Sequence, residues 1–444
     1  MEGIKKQGWT KVVKLAELRA IEKQLGAFVE EFAGELGRAE RRTWGKRYVM
    51  GLVLDGERKS IEPLAQRVPG GNEQALQQFV NQSPWAHEPV QTKLYRRLMK
   101  RSGHESGVLI LDDTTLPKKG KASVGVAPQY CGALGKVANC QAIVTWHYSG
   151  SRMHFPLLGE LYLPEAWTAD RQRLRHAGVP PEKWQFQEKW KLALALLDQF
   201  RAELSYEAIV RDAGYGEMRA FLQALDERGQ LFVAQIPESH CFWPATIALE
   251  ERSQPGGRPR HFPMIADPRA QPLSAKAWRV HADAGKLRWQ KVRLPLQRRK
   301  PVTVVAVRVR ETVSQAWRRP GPERWLFIER HRDGTCKYYL SNAPVQTAVN
   351  QMLGWAHQRW KIEQGYQQLK EELGLDHFEG RSWRGLHHHL TLCFLAYGFL
   401  HLLRQKKNRA MDAAGGPPLA QPLIQLYPVS ILSSISSRTV GLPL

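Results

Sequence analysis

A short apolar run followed at once by paired acids constrains the fold of this chain more than any other stretch. The run from Val108 to Leu111 reads Val-Leu-Ile-Leu, is preceded by Gly107 and leads directly into Asp112-Asp113-Thr114. A run of this length and composition, bounded in this way, predicts a buried β-strand. The sequence therefore predicts a sheet that carries carboxylates at the end of one strand.

The segments that follow repeat this pattern with helices between the strands. The predicted elements are strands at Gln141 to Tyr148 and His154 to Leu163, a helix at Trp184 to Leu204, a strand at Tyr206 to Val210, a helix at Met218 to Arg228 and a strand at Leu231 to Ile236. Three adjacent strands, then helix, strand, helix and strand, is the order of a ribonuclease H-like domain. Open α/β sheets place their sites at strand ends, where Asp112 and Asp212 are both predicted to lie.

The remaining sequence predicts three further regions and gives the fold class α/β. Residues 1–95 carry short amphipathic helices and predict an all-α N-terminal DNA-binding domain. Within it, a helix opening at Ser60, a Pro69-Gly70-Gly71 break and a helix capped by Asn72 are compatible with a helix-turn-helix. Residues 96–236 and 345–405 are the two parts of the core, residues 237–344 a β-rich insertion, and residues 406–444 a poorly ordered tail.

Charge indicates the kind of partner. The chain has 444 residues and a formal net charge of +23, which favours a polyanion, and nucleic acid is the commonest one for a protein of this size. The five cysteines contain no C-x-x-C pair, and reduced thiols in the cytoplasm are the plain interpretation. No signal peptide is recognisable, and the apolar stretch from Leu390 to Leu403 is too short to span a bilayer, so no membrane partner is expected.

A proline-free helical pattern from Val345 to Leu375 contains the third acid. Arg359, Glu363 and Lys370 fall on one face of such a helix, because they are separated by four and then seven residues. A neighbouring stripe can pack against a core; it consists of Ile362, Tyr366 and Leu369. A carboxylate flanked by two cations suits a metal-bound phosphodiester, whereas an exposed helix with ordinary i,i+4 ion pairs is the alternative.

Asp112, Asp212 and Glu363 together predict a metal site. Three carboxylates packed closely would repel one another unless cations neutralise them, and hard divalent cations with oxygen ligands do so. Two Mg²⁺ ions about 3.5–4 Å apart can activate an attacking oxygen and stabilise a leaving one. The sequence predicts that the three acids are both the catalytic residues and the metal ligands.

Several blocks of sequence resemble one known family. They are Arg359-x3-Glu363-x6-Lys370, Glu372 to Trp383, Leu-Asp-Asp-Thr-Thr with Gly120 to Tyr130, Asn139-Cys140-Gln141, Asp212 to Gly216, Glu57-Arg58-Lys59-Ser60 and Ser83-Pro84-Trp85. In these blocks, which cover nearly the whole chain, it resembles bacterial insertion-sequence transposases of the DDE class. The signature of that family is Tyr-Arg-Glu-Lys, but Ala356 stands where the tyrosine belongs, and Trp355 beside it is the candidate substitute.

The resemblance implies a function and its partners. It implies a ribonuclease H-like core with a β-strand insertion, and Mg²⁺-dependent cutting of element ends with Mn²⁺ able to substitute. It also implies attack of the freed 3′-hydroxyl on target DNA. The expected partners are double-stranded DNA of the terminal inverted repeats and of the target, with a homodimer on that DNA. Arg359 and Lys370 are expected to grip phosphates, and a bacterial protein associated with the nucleoid is implied.

Several assignments stay open at this point. Only one of Asp112 and Asp113 can face the cluster, because neighbouring strand residues point to opposite faces; Asp112 directly follows the apolar run and is preferred. The cations beyond the strand are expected to contact phosphates, with a solvated face as the alternative; they are Lys118, Lys119 and Lys121. The rival functions are a transposase-derived DNA-binding protein without catalysis and a nuclease that never joins strands.

Two aromatic features have a structural and a functional interpretation. His387, His388 and His389 could suggest metal ligation, but consecutive positions on a helix diverge, so a structural role is preferred. Trp383 could stack on an extruded base, and a packed tryptophan is the preferred alternative.

Overall fold

The computed structural model describes residues 15–102, 106–212, 214, 219–252, 259–294, 301–314 and 318–413. Several predicted segments fall partly or wholly outside these residues: the first residues of the N-terminal domain, Ala213 and Tyr215-Gly216 of the second-acid block, most of the basic loop that the sequence predicts from Gln254 to Arg260 in the insertion, and most of the tail. Each is therefore left as a prediction.

The described helices follow the amphipathic segments of the sequence. In chain order they are α1 (Leu15–Glu30), α2 (Ala33–Leu36), α3 (Ala39–Val53), α4 (Ile61–Arg67), α5 (Glu73–Asn81), α6 (His87–Ser102), α7 (Glu165–Thr168), α8 (Arg171–His176), α9 (Lys189–Phe200), α10 (Arg219–Glu227), α11 (Ala275–Asp283), α12 (Val349–His357), α13 (Trp360–Gln367) and α14 (Trp383–Ala413). A 3-10 turn spans Pro181–Lys183, and a π-helical segment, Gln368–Glu372, continues α13.

Most described strands of the core lie where apolar runs predicted them, but the strand Ala127–Cys131 was not predicted, and the insertion contains several strands. They are β1 (Gly107–Pro117), β2 (Ala127–Cys131), β3 (Lys136–Ser149), β4 (His154–Leu161), β5 (Tyr206–Arg211), β6 (Phe232–Ile236), β7 (Cys241–Pro244), β8 (Leu249–Arg252), β9 (Pro259–Ile265), β10 (Leu273–Ser274), β11 (Gln290–Val292), β12 (Val302–Ser314), β13 (Arg319–Arg330) and β14 (Cys336–Ser341). The chain is therefore a mixed α/β protein.

The chain divides into two compact units. The first takes its described residues from Met1–Glu105, Asp113–Leu204 and Ile362–Leu444, and the second from Ser106–Asp112 and Ser205–Lys361. The boundary between the units thus falls within β1, between the consecutive residues Asp112 and Asp113.

In the second unit, strands of the core and of the predicted insertion form one large mixed sheet. Their order is β10-β7-β12-β13-β14-β6-β5-β1, with β11 paired to β12. β1, β5 and β6 are parallel neighbours, and β14 pairs antiparallel with β6 through Leu340 and Ala234. The insertion is β-rich, as predicted. Its strands extend the sheet because β14 satisfies the backbone hydrogen bonds along the edge of β6.

In the first unit, the long helix α14 packs against α3, α5, α6 and β4. These neighbours bury its apolar stretch, Leu390 to Leu403, in which most side chains are inaccessible to solvent. The helix continues to Ala413, beyond residue 405 where the sequence predicted the tail to begin. Among the described helices, none is both long enough and apolar enough to cross a membrane.

The predicted helix–turn–helix segment is α4 and α5. Gly70 occupies the left-handed region at φ +63°, which lets the chain turn between them. The side chain of Asn72 caps α5 by accepting a hydrogen bond from the Ala75 amide at 2.8 Å. Ser60 stands at the N-cap of α4, but its hydroxyl makes no cap bond and instead accepts from Arg58 Nε at 3.2 Å.

The proline-free pattern from Val345 to Leu375 is not one helix, and that prediction is wrong. α12 ends at His357, and the Gln358 and Arg359 amides bond to carbonyls three residues back, at 2.9 and 3.2 Å. Side chains from elsewhere in the second unit fasten the end of α12: Trp355 Nε1 donates to Glu207, and His357 Nε2 lies 3.0 Å from Glu329. These tertiary contacts override the local preference for a continuous helix.

Candidate active site

The first two predicted acids lie directly beyond one ladder of parallel strand pairs. In the second unit, β1 and β5 run parallel with Ile110 opposite Val210 and Leu111 opposite Arg211. Asp112 and Asp212 are the next residue of each segment, directly beyond the last pair. The side chains from Val108 to Leu111 are buried, so burial of this run holds the register. Asp112 and Asp212 therefore follow neighbouring strands at the same end of this ladder.

β1 does not end at its acids, which corrects the predicted strand end. Thr114, Thr115 and Leu116 continue the strand to Pro117 and are buried, as β-branched and apolar residues favour. Asp112 thus lies within a strand, at the point where pairing with β5 stops. The strand continues along the chain both before and after Asp112.

The two aspartates of the pair have different cationic neighbours. Arg359 Nη1 lies 3.9 Å from Asp112 Oδ2 within the second unit. Lys189 Nζ lies 2.5 Å from Asp113 Oδ2 within the first unit. Because consecutive strand residues point to opposite faces, the side chain of Asp113 leaves the face on which Asp112 lies.

Asp212 follows β5 directly and is held by its own turn. Its Oδ1 accepts a hydrogen bond from the Gly214 amide at 3.1 Å, which is an Asx turn. This bond orients the carboxylate through the backbone of its own turn.

Arg359 lies in the turn between α12 and α13, so it is not on a helical face with Glu363 as predicted. The turn directs its guanidinium towards Asp112, in the same unit. The predicted substitute for the missing signature tyrosine is also wrong. Trp355 is buried, and its indole N–H donates to Glu207, so the ring is not presented to DNA.

The neighbouring Trp360 was missed by the sequence analysis. It is a large apolar side chain that is 41% exposed, and it stands between Arg359 and Glu363 in the signature block. Its position off the stripe of Ile362, Tyr366 and Leu369 was the available signal, since that stripe faces the core.

Glu363 lies in the first turn of α13 and is exposed. The stripe beside it packs as predicted, with Ile362, Tyr366 and Leu369 buried. The same side of the helix packs closely on β3 and β4. Tyr366 Oη lies 2.6 Å from Thr145 Oγ1, and a methyl group at Gly365 would lie 2.8 Å from His154 Nε2.

Lys370 falls in the π-helical segment. The Leu373 amide bonds to the Gln368 carbonyl at 3.1 Å, five residues back, which widens the helix at this point. Lys370 Nζ donates to the Thr115 carbonyl of β1 at 3.0 Å. The amine is thereby fastened to β1 within the first unit.

The three lysines that follow β1 differ from one another. Lys118 is half-buried and its amine donates to the Phe378 carbonyl at 2.6 Å; burial lowers the pKa of this side chain. Lys119 and Lys121 are exposed. The structure therefore gives Lys118 a structural contact, whereas a phosphate contact by Lys119 and Lys121 stays a prediction.

The three consecutive histidines of α14 are buried and hydrogen-bonded inside the first unit. His387 Nε2 accepts from the Leu161 amide at 3.2 Å, and His389 Nε2 donates to the Gly374 carbonyl at 3.0 Å. Both ring nitrogens of His388 lie 2.8 Å from backbone carbonyls. Trp383 is also buried, with its ring 4.1 Å from that of His387, so it is a packed tryptophan.

The chemistry of the acids fits a hard cation, because carboxylate oxygens are the ligands that Mg²⁺ prefers. Asp112 and Asp212 belong to the second unit and Glu363 to the first. Within the described part of the chain, no group of three or more His, Cys, Asp or Glu side chains is arranged to hold a metal ion. The meeting of all three acids stays a prediction.

Comparison with known proteins identifies a family. The model of the DDE superfamily endonucleases matches residues 31–301, a region that contains Asp112 and Asp212 and ends before Glu363. Over 193 residues the chain is 30% identical to a probable transposase for insertion sequence element IS701 from Microchaete diplosiphon, covering 43% of this chain and 48% of that protein. The chain thus spans about half the length of this curated relative.

Solved structures give weaker similarities. A piggyBac transposase synaptic complex with hairpin DNA aligns with a TM-score of 0.41 and 10% identity, over 96% of this chain and 80% of that one. The NurA nuclease from Sulfolobus solfataricus aligns with a TM-score of 0.26 and 9% identity, over 59% and 79%. At these scores neither structure informs the fold. The family match covers more than half of the chain, which therefore belongs to the DDE superfamily of endonucleases.

Proposed function

We propose that the chain is the DNA transposase of an insertion sequence, which cuts the element ends and joins the freed 3′-hydroxyl to target DNA. The observation that carries the proposal is the parallel pairing of β1 with β5, whose last pair, Leu111 with Arg211, is followed directly by Asp112 and Asp212 inside the region matched by the DDE model. The similarity to a probable insertion-sequence transposase and the net charge of +23 support it.

The proposal includes an architecture. The parallel strands β1, β5 and β6, with α10 between the last two, support a ribonuclease H-like core. Helices α1 to α6 support an all-α N-terminal DNA-binding region. The predicted boundaries are kept for the core and the insertion, whereas the last helix runs to Ala413, past the predicted start of the tail at residue 406. A homodimer on terminal-repeat DNA and a place in the bacterial cytoplasm at the nucleoid complete the proposal.

Asp112, Asp212 and Glu363 would hold two Mg²⁺ ions through their carboxylate oxygens. When bound, the ions supply Lewis acidity that lowers the pKa of an attacking water and neutralises the leaving oxygen. Arg359, already directed towards Asp112, would hold a non-bridging phosphate oxygen. The Asx turn at Asp212 fixes one carboxylate before substrate arrives, which limits reorganisation during the reaction.

The test is Glu363→Gln, assayed with Mg²⁺ and a duplex that carries the terminal inverted repeat of the element. We expect cleavage to fall by about 10³-fold or more, because a metal ligand is lost, while binding of the duplex stays within a few-fold. The matched control is Glu371→Gln, an exposed acid of the π-helical segment, which should cut at the wild-type rate. Retained cleavage by Glu363→Gln would refute the assignment.

The same assay separates the rival functions. A wild-type chain that binds the terminal repeat but does not cut it with either Mg²⁺ or Mn²⁺ would be a DNA-binding protein. Cutting without transfer of the 3′ end to a target duplex would indicate a nuclease.

A further inference from the structure

A broad groove opens within the first unit. Its volume is about 1090 Å³. The lining side chains come from α5, from α7 and α8, and from the segment that precedes α14; they are Gln74, Gln77, Gln78, Asn81, Gln82, Ala122, Trp167, Arg173, His176, Ala177, Glu379, Gly380, Arg381 and Ser382. Seven of these fourteen residues are amides or arginines, side chains that are common on surfaces that contact nucleic acid.

α5 presents one face of amides to this groove. Gln74, Gln77, Gln78 and Asn81 are spaced by three, one and three residues, so they line one side of a helix. The opposite side is buried through Leu76, Phe79 and Val80, which fixes the rotation of the helix. A glutamine or asparagine amide can donate and accept at once, and this is how such side chains pair with the major-groove edge of adenine.

Cations lie on the facing wall. The Arg173 guanidinium lies over the Trp167 ring at 3.7 Å and donates to the Lys121 carbonyl at 2.6 Å, so its position is fixed. Arg381 is exposed, and its backbone carbonyl accepts from the Val124 amide at 3.0 Å. The one lining acid of this wall, Glu379, pairs with Arg58. The wall is therefore positive, as a phosphate contact requires.

The aromatic rings near the groove argue against a single strand as its occupant. Single-stranded bases are held by stacking on exposed rings. The Trp167 ring is buried beneath Arg173, and Trp383 is buried against His387. Amides that read base edges beside cations that hold phosphates suit a duplex.

We propose that this groove binds the duplex DNA of the element end, with Gln77 and Gln78 reading base edges and Arg173 and Arg381 holding phosphates. The proposal rests on the proposed function only for the identity of that DNA. It places sequence recognition on α5, in the first unit, and gives the exposed Lys121 a place at the rim of the groove.

The test measures binding without catalysis. The full chain is titrated in EDTA with a fluorescent duplex of the terminal inverted repeat and with a shuffled duplex of the same composition. We expect the Gln77→Ala, Gln78→Ala double variant to lose about 10- to 100-fold in its preference for the true end, while its affinity for the shuffled duplex stays unchanged. Arg381→Ala should weaken both complexes alike and reduce the salt dependence by about one phosphate contact.

Gln199→Ala, an exposed glutamine of α9 outside the groove, is the matched control and should change neither affinity. Thermal unfolding of each variant checks that a loss of binding is not a loss of structure. Undiminished preference in the double variant, an equal loss on both duplexes, or tighter binding of a single strand would overturn the proposal. Because no metal is present, the outcome is independent of whether the acids cut DNA.

Discussion

The aspartates and the glutamate of the candidate site are held by different forces. Asp112 and Asp212 are placed by backbone pairing between β1 and β5 in the second unit, and by an Asx turn. Glu363 is placed by side chains of the first unit, through the contact of Tyr366 with Thr145 and the close approach of Gly365 to His154. Many backbone hydrogen bonds together hold a residue whose position is set by strand pairing, whereas a residue positioned by packing depends on a few side-chain contacts.

The largest effect is expected at the aspartates. It depends on which of Asp112 and Asp113 is the metal ligand. Asp112→Asn should reduce cleavage of the terminal-repeat duplex by about 10³-fold or more, because it removes a proposed metal ligand without changing shape. Asp113→Asn should stay within about tenfold, since that carboxylate pairs with Lys189 on the other face. Single-turnover cleavage measures both. The reverse ranking would transfer the metal ligand to Asp113.

Acid should weaken the first unit before the second, which would sharpen the contrast between them. Burial lowers the pKa of His387 to about 3, of His389 to about 4 and of His401 to about 3. Their folded pKa lies below the unfolded value near 6.5, so the unfolded state takes up protons first and stability falls as pH drops from about 6.5 towards 4. Each such histidine contributes about 1.4 kcal/mol per pH unit within that window.

Hydrogen exchange at pH 7 and pH 5 measures this loss of stability, by comparing the protection of amides in α14 with that in β13 of the second unit. In that unit burial raises the pKa of Glu329, but the hydrogen bond and charge of His357, together with the nearby His331 and Lys337, leave the pKa below its ordinary value. His401→Leu should flatten the pH dependence of α14, and His176→Gln, at an exposed position, should not. Equal acid sensitivity of α14 and β13 would contradict the expectation.

Adding one methyl group tests whether Glu363 depends on packing more than Asp212 does. Gly365→Ala should cost about 1–3 kcal/mol of unfolding free energy and slow cleavage, because the methyl group would meet the buried His154 ring and displace α13. Gly214→Ala is the matched change beside Asp212, where the methyl group would lie 3.5 Å from Oδ1, an ordinary contact. Denaturant unfolding and cleavage are measured for both; equal effects would remove the distinction.

The smallest effect is expected from deleting a single hydroxyl group. Tyr366→Phe should cost about 1 kcal/mol through its contact with Thr145, and a double-mutant cycle with Thr145→Val should show coupling. It should also slow cleavage a few-fold by loosening α13. Tyr206→Phe, which removes a hydrogen bond to Gln230 in the second unit, should leave the cleavage rate unchanged. Additive effects in the cycle would show that the Tyr366 contact does not seat the helix.

Local patterns were sufficient for much of the site. The run Val108 to Leu111 predicted the strand that presents Asp112, and the stripe of Ile362, Tyr366 and Leu369 is buried as the periodicity required. The amide face of α5 can also be recognised from the sequence, since its four polar positions share one helical face. The spacing does not show which residues line the opposite wall of the groove. Arg173 and Arg381 join that groove only through folding.

The sequence by itself determined the main strands and helices of the core, the acids beside β1 and β5, the net positive charge and the family resemblance, whereas β2, α7 and α8 were not predicted. Those features depend on residue type and short-range period, which side chains express locally. Tertiary structure decided where the helix before Glu363 breaks, that Arg359 turns towards Asp112, that Trp355 is buried while Trp360 is exposed, and that the insertion strands extend the sheet. The physical reason is that each of these outcomes is set by a partner distant in sequence, such as Glu207, Glu329 or β6, whose approach no local pattern encodes.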